Sequence, residues 1–242
     1  MPIIKLDAID STNDYLKQLA KEKDLENFTI VMAREQTKGR GQMGAKWYSE
    51  PGKNLTMSVL VKDLAINTIS IYDLNVVVAM AAVDVLTSTG CPNVKIKWPN
   101  DIMADNKKVG GILIENSFKT DGTFTAVVGF GLNLNQTNFE HLPQASSLTN
   151  VTGQTYDLEA TADLFVKQLK LQLDSLPEKT NLVWNNYEKL LFKRNKAVAF
   201  EDSIGNRFMG IIESVTRDGK LALLQEDDLL HHYEVKAIKM LY

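Results

Sequence analysis

Apolar positions along the chain switch between helical and strand periods. From Ser11 the spacing is helical: Leu16, Leu19 and Ala20 share a face, the Ser11 hydroxyl is placed to cap free amides, and Asp14 stands three residues on, as in a capping box. Residues 28–33 (FTIVMA) and 54–62 (NLTMSVLVK) read as strands, rich in β-branched side chains. Residues 69–89 return to helical spacing and stop at Gly90, a helix-terminating residue. VKIKW at 94–98 alternates like a half-buried strand. Three more strands follow at 101–104, 108–115 and 124–135, with turns at Asp105-Asn106 and Asp121-Gly122. The polar stretch from Gln136 to Thr155 predicts a long loop of the kind used as a lid or binding segment. Amphipathic helices are predicted over 157–176 and 181–192. Beyond residue 194 the pattern changes to short strands with turns at 204–206 (IGN) and 217–219 (RDG), which predicts a small antiparallel barrel joined without a flexible linker. The expected division is therefore 1–193 and 194–242.

Two segments break these patterns. Gly110-Gly111 interrupts what otherwise reads as a core strand. Glycine weakens a strand interior, so it belongs there when another backbone or a ligand comes close. Lys97, Asn100, Asp101 and Lys108 place charge and hydrogen bonding beside that gap, which suggests a small-molecule pocket in a sheet, with cations suited to an anionic ligand. The second segment is a loop whose Gly39, Gly41 and Gly44 match G-x-G-x-x-G. A dinucleotide fingerprint needs a helix next, and here a strand follows, so the helix N-terminus that would hold a pyrophosphate is missing. The kinase signatures H-R-D and D-F-G and the phosphate-loop motif are absent too. What remains is a mobile loop with a cation at Arg40 and an aromatic anchor at Trp47, suited to folding over an anionic ligand.

Composition narrows the classes. A chain of 242 residues holds one large domain, or one domain and a small module. Its net charge of −3 gives no overall electrostatic footprint for nucleic acid. The single cysteine, Cys91, forms no internal disulfide and reads as an inert thiol after a helix; with no signal-peptide pattern, the expected location is cytoplasmic. The longest apolar stretch is short for a bilayer and contains Asp84. His141, His231 and His232 lack metal-ligand spacing and read as surface residues, Glu226, Asp227 and Asp228 as a solvated turn, and Trp184 and Tyr187 as helix packing.

Five motifs occur in order: STN at 11–13, Q-x-x-GRG at 36–41, KWPND at 97–101, KxGGILIE at 108–115 and GxGLN at 129–133. On these the chain resembles the biotin–protein ligases, also called biotin–acetyl-CoA-carboxylase ligases. The resemblance implies an α+β fold: a mixed, largely antiparallel sheet packed by helices, like a class II synthetase core, with a small C-terminal SH3-like β-barrel. It implies an enzyme that joins biotin to ATP as biotinyl-5′-AMP, with Mg²⁺, and then transfers biotin to a lysine of a biotin carboxyl carrier domain. By the same resemblance, Ser11, Thr12, Asn13 and Gln36 meet the ureido end of biotin, and Gly110, Gly111, Gly129 and Gly131 leave room for its bicyclic ring. Gly39, Arg40, Gly41 and Gln42 surround its acid tail. Lys108, Arg40, Lys97 and Asp101 form the catalytic set, Lys108 reaching the carbonyl or the α-phosphate. Arg40, Trp47, Asn100, Asp101 and Asn133 meet the nucleotide, with Asp101 the candidate metal partner.

The chain departs from the pattern of that family at Gln42 and Ala45, where many members carry arginine. Arg40 and Lys108 are then expected to carry more of the electrostatic load. Ala237 stands near the place of an acidic residue that approaches ATP in other members, so no site is expected there. The competing readings are a lipoate or octanoate ligase or transferase on a related fold and a biotin-responsive DNA-binding repressor. The polar STN and Gln36 set disfavours the first. The ten residues ahead of STN disfavour the second, being too few for a helix-turn-helix.

Overall fold

The computed structural model describes residues 2–242; Met1 lies outside the described residues. The chain begins with a strand the apolar pattern did not reveal, β1 (Ile3–Ile9), which leads into α1 (Thr12–Glu22) and β2 (Ile30–Gln36). β1 and β2 are parallel, so α1 is the crossover that returns the chain to the same sheet. β1 sits at the sheet edge with no fully buried residue and no regular alternation, which left little hydrophobic signal. After β2 come β3 (Leu55–Ala65), α2 (Ile71–Ser88), β4 (Lys95–Lys97), β5 (Asp101–Ala104), β6 (Lys107–Phe118) and β7 (Thr123–Leu132). The seven strands form one sheet in the order β1-β2-β3-β7-β6-β5-β4, antiparallel apart from β1 and β2.

Sequence chemistry sets the helix boundaries. The Ser11 hydroxyl accepts from the Asp14 amide at 3.4 Å, as expected, but the Asp14 carboxylate goes elsewhere and only half of the capping box forms. The full box is at α2, where Ser70 and Asp73 exchange both bonds. The loop expected over 136–155 contains a short helix, α3 (Leu148–Thr152), and is tied to β6: the Lys108 amide donates to Gln144 O at 2.8 Å and Ser146 N to Lys108 O at 2.9 Å. The two predicted helices after it form one element, α4 (Leu158–Lys189), broken by non-helical backbone at Lys179 just after Pro177.

The sheet has two unlike faces. On one, Leu55, Met57, Val59, Phe124, Val128, Phe130 and Leu132 meet α2 and α4 in a single buried core, with Phe130 stacked on Phe165 at 4.4 Å. α2 is long and apolar enough to cross a membrane by composition alone; here its residues Val76–Val83 are buried as a core helix. On the other face α1 packs, burying Leu16 with Val31, Leu60 and Val127. Beside the N-terminus of α1 that face is open apart from the ring of Trp47, which lies against it.

Past α4 the chain forms β8 (Ala197–Asp202), β9 (Arg207–Val215), β10 (Leu221–Leu224), β11 (Leu230–Tyr233) and β12 (Ile238–Leu241), an antiparallel sheet in the order β11-β10-β9-β8-β12. The segment leading into it is clamped on both sides: Leu191 bridges Ile96 of β4, and Arg194 bridges Ile212 of β9. The Trp98 indole donates to Gly219 O at 3.0 Å, and the Arg217 guanidinium lies 4.5 Å from the Trp184 ring centre. Trp98 thus joins the two sheets, through a peptide to Pro99 that is cis.

Candidate active site

Strand register makes the floor of the site. On the open face, Thr56 of β3, Gly131 of β7 and Gly111 of β6 lie side by side, and Ser58, Gly129 and Leu113 form the next row. Where these strands pass under the pocket, the floor therefore carries little side chain. Gly110, one residue off, faces the other way; a Cβ there would meet Ile102 and Leu132, so its small size serves strand packing and not the pocket.

The N-terminus of α1 supplies one wall. Ser11, Thr12 and Asn13 are buried despite being polar. Thr12 donates its amide (2.8 Å) and its hydroxyl (3.1 Å) to Gln36 Oε1. The Ser58 hydroxyl sits between Thr12 Oγ1 (2.7 Å) and Asn13 Oδ1 (2.6 Å). Asn13 Nδ2 donates to Glu115 Oε2 (2.8 Å) and Leu113 O (3.2 Å). Asn13 covers Gly129 so closely that a Cβ there would stand 2.5 Å from its Oδ1. Sequence reading missed Ser58 and Glu115. Ser58 looked like an ordinary polar position of a strand, and Glu115 like the outer end of one.

The glycine loop supplies the opposite wall. It folds back as a tight hairpin, Gly41 N donating to Ala45 O (2.7 Å) and Trp47 N to Gly39 O (2.9 Å) around a 3₁₀ turn at Gln42–Gly44. The indole of Trp47 lies directly on the floor: a Cβ on Gly131 would meet its ring at 2.6 Å, and one on Gly111 at 3.2 Å. Two polar atoms in this wall, Trp47 Nε1 and Gln42 Oε1, are buried without a hydrogen-bond partner.

Charge lines the third side. Lys108 Nζ is 2.6 Å from Asp101 Oδ1, and Lys97 Nζ is 3.5 Å from Asp101 Oδ2, so one carboxylate holds both ammonium groups. Lys97 also lies 5.1 Å over the ring of Tyr242, whose phenol is pushed up by burial and by the Asp101 charge. Arg40 lines the pocket but is paired with Asp14 (2.5 Å) and approaches Glu115 (3.9 Å). Lys17 bonds the same two carboxylates; burial opposes its charge, but the bonds to Glu115 and Asp14 outweigh it and hold the ammonium above the usual lysine range. Asn100 Nδ2 donates to Ile112 O (2.8 Å) and the Asn100 backbone carbonyl accepts from Ile112 N (3.0 Å), fixing the start of β5 to β6 at the pocket edge. Asn133 donates to Ser146 O (3.0 Å) while its Oδ1 is buried without a partner.

These walls enclose two adjoining cavities. One of about 240 Å³ is lined by the α1 wall, Gln36, the glycine floor and the loop. The other, about 370 Å³, is lined by Lys97, Asn133, Gln144 and Tyr242 among others. Trp47, Asp101 and Lys108 line both. Of the expected site residues, Gly39 lies behind the loop, where a Cβ would strike Trp47 O at 2.5 Å. Gly110 and Gly39 apart, the expected set borders one cavity or the other. Exposed His141 lines the second. Cys91 is far from this chemistry in role: burial and the Asp105 charge push its thiol up to about 11. His231 pairs with Asp227 at 2.9 Å on the surface.

The family model of the biotin/lipoate A/B protein ligases matches residues 6–133, just over half of the chain. The bifunctional ligase/repressor BirA of Escherichia coli is 28% identical over 93% of this chain and 70% of its own length. A biotin–[acetyl-CoA-carboxylase] ligase of Paracoccus denitrificans is 35% identical over 52% of this chain and 51% of its own. The solved biotin protein ligase of Aquifex aeolicus, in complex with biotin and ATP, superposes with a TM-score of 0.80 over 99% of this chain and 98% of that one; at 24% identity this likeness speaks to the fold. With the matched segment running from β1 through the glycine floor of β7, the chain belongs to the biotin/lipoate A/B protein ligase family.

Proposed function

We propose that the chain is an ATP-dependent biotin–protein ligase that makes biotinyl-5′-AMP and passes biotin to a lysine of a biotin carboxyl carrier domain. One observation carries this reading. A cavity walled by neutral donors and acceptors on a glycine floor opens, past Trp47 and Lys108, into a second cavity with cations and an unpartnered buried amide oxygen. A neutral, planar headgroup fits the first, a nucleotide fits the second, and the reacting groups meet where Lys108 stands.

In the first half-reaction a carboxylate oxygen of biotin attacks the α-phosphorus of ATP, and pyrophosphate leaves. Two anionic groups must approach, so cations at the junction lower the barrier. Lys108 is placed to neutralise charge growing on the α-phosphate, with Asp101 orienting it. Lys97 faces the nucleotide cavity beside Tyr242. Arg40 reaches the acid tail by exchanging Asp14 for it. The Asn133 amide oxygen awaits a donor such as an exocyclic amine. Asp101 is the carboxylate that both cavities share, and among the described residues no group of three or more His, Cys, Asp or Glu is poised to cage a metal. That donor set fits Mg²⁺ carried on the nucleotide phosphates, where it would screen charge. In the second half-reaction the neutral ε-amine of the acceptor attacks the mixed anhydride carbonyl, and AMP leaves. The loop and Trp47 exclude water that would hydrolyse the anhydride.

The test is a mass measurement. With biotin, MgATP and a carrier domain, one lysine of the carrier gains the mass of biotin less water. Lipoate in place of biotin leaves the carrier unmodified. Equal modification by lipoate would return the reading to the other branch of the family.

A further inference from the structure

A third cavity, of about 480 Å³, lies at the seam between the two sheets, outside the site just described. It is lined by Lys95 at the start of β4, by Asp105 and Asn106 in the β5–β6 turn, by Lys189 at the end of α4, and by the clamped segment that carries Lys193, Arg194 and Lys196. Five cations thus face one carboxylate, in a chain whose net charge is −3. Asp105 accepts from Asn93, and Arg194 is 3.7 Å from Glu188; among the described residues Lys95, Lys189 and Lys196 enter no ion pair within 4 Å. A concave, like-charged wall focuses potential toward an incoming anion.

The backbone adds a second observation. Lys193 has a φ of 61°, a left-handed conformation that glycine adopts freely and a lysine adopts at a cost of about 1 kcal/mol. Half-buried, it keeps its ammonium at the groove, 5.1 Å from the ring of Phe192. A cation is held where a glycine would be more stable.

The groove is also continuous with the mouth of the site. Lys95 and Lys97 are two residues apart on β4, so they share a strand face about 7 Å apart. Phe192 of the groove packs on Tyr242 of the nucleotide cavity, ring centres 5.2 Å apart. A protein that presents a lysine to the junction must lay the surface around that lysine near this seam.

We infer that the seam groove is a docking surface for an acidic face of the biotin acceptor protein, which it steers toward the site. This rests on the ligase reading above. Such a surface governs encounter with the acceptor, and biotin activation does not depend on it.

Two variants test it, in the full chain: the double reversal Lys95→Glu/Lys196→Glu, and Lys193→Gly, which removes the cation while relieving the backbone. Neither touches a residue of the activation machinery. Biotin-dependent ATP–pyrophosphate exchange, which needs no acceptor, is measured beside transfer to a biotin carboxyl carrier domain. The expected result is exchange within about twofold of the parent, KM for the carrier domain raised roughly tenfold in the double reversal and several-fold in Lys193→Gly, and a loss of salt dependence in transfer. Lys193→Gly should melt no lower than the parent. An unchanged carrier KM at low salt overturns the inference. So does an equal fall in exchange, which would give the groove to the nucleotide. Retention of the parent chain, but not the double reversal, on RNA or DNA with carrier KM unchanged would assign it to nucleic acid and overturn it as well. Absence of biotin-dependent exchange in the parent chain would instead strike the ligase reading.

Discussion

At the α1 end of the site the polar groups are bonded to one another; at the loop end they wait. Thr12, Asn13, Gln36, Ser58 and Glu115 form a continuous hydrogen-bonded set along the α1 wall. Around the loop, Trp47 Nε1, Gln42 Oε1 and Asn133 Oδ1 are buried with no partner, and Arg40 is turned onto Asp14. A satisfied network fixes geometry and adds to stability, whereas an unpartnered buried polar atom costs about 1–3 kcal/mol that a ligand's hydrogen bond can recover. The first end is a mould set by folding. The second holds stability in reserve for binding.

Substitutions can break that contrast. The largest effect belongs to Lys108. Lys108→Ala should fold normally, since the side chain is a third exposed, and lower the rate of adenylate formation by about 10²–10³. A turnover like the parent's would remove Lys108 from the chemistry.

Next comes a pair on the same strand. Gly129→Ala places a methyl against Asn13 Oδ1 at 2.5 Å and Leu113 O at 3.1 Å, within the bonded network, and should destabilise the fold by about 1–3 kcal/mol. Gly131→Ala meets the movable Trp47 ring first, at 2.6 Å, and should spare the melting temperature while weakening biotin binding about tenfold or more. Thermal melts and calorimetry on the two proteins distinguish them; equal loss of stability in both would erase the difference between the two ends.

Ser58→Ala, which takes the central hydroxyl from Thr12 and Asn13, should cost about 1–2 kcal/mol in denaturant unfolding even without ligand. The smallest effect is expected at Gln42. Gln42→Arg adds a cation at the waiting end and should slow adenylate release several-fold, about 1 kcal/mol, with little change in the unliganded fold. Faster release would show that the loop already has the charge it needs.

Much of this was legible in the chain. Helical period placed α1 and α2, with a Ser-led cap opening the first and Gly90 closing the second, and turn chemistry at Asp105-Asn106 and Asp121-Gly122 placed the strands that form the floor. β1 was not legible because an edge strand with one half-buried face carries no strong alternation. Lys108 and Asp101 stood out as charged positions beside a glycine pair in an apolar run, whereas Asn13 and Gly131 were expected from the family resemblance alone. Their partners were harder to see. Ser58 and Glu115 matter through register, and register between distant strands is not written in local sequence. The direction of Gly110 was lost for the same reason, since neighbouring strand residues face opposite ways. The seating of Trp47 on the floor and the pairing of Arg40 with Asp14 depend on how the loop folds, which its glycines leave open.

The account's central claim is that an uncharged ring and a nucleotide occupy adjoining cavities and are joined at Lys108. Native mass spectrometry of the chain incubated with biotin and MgATP, without acceptor, tests it most directly. The account predicts a complex heavier by one biotinyl-5′-AMP, with pyrophosphate released in equal amount. Recovery of the unliganded chain with ATP intact, or an equally populated lipoyl-AMP complex when lipoate replaces biotin, would contradict it.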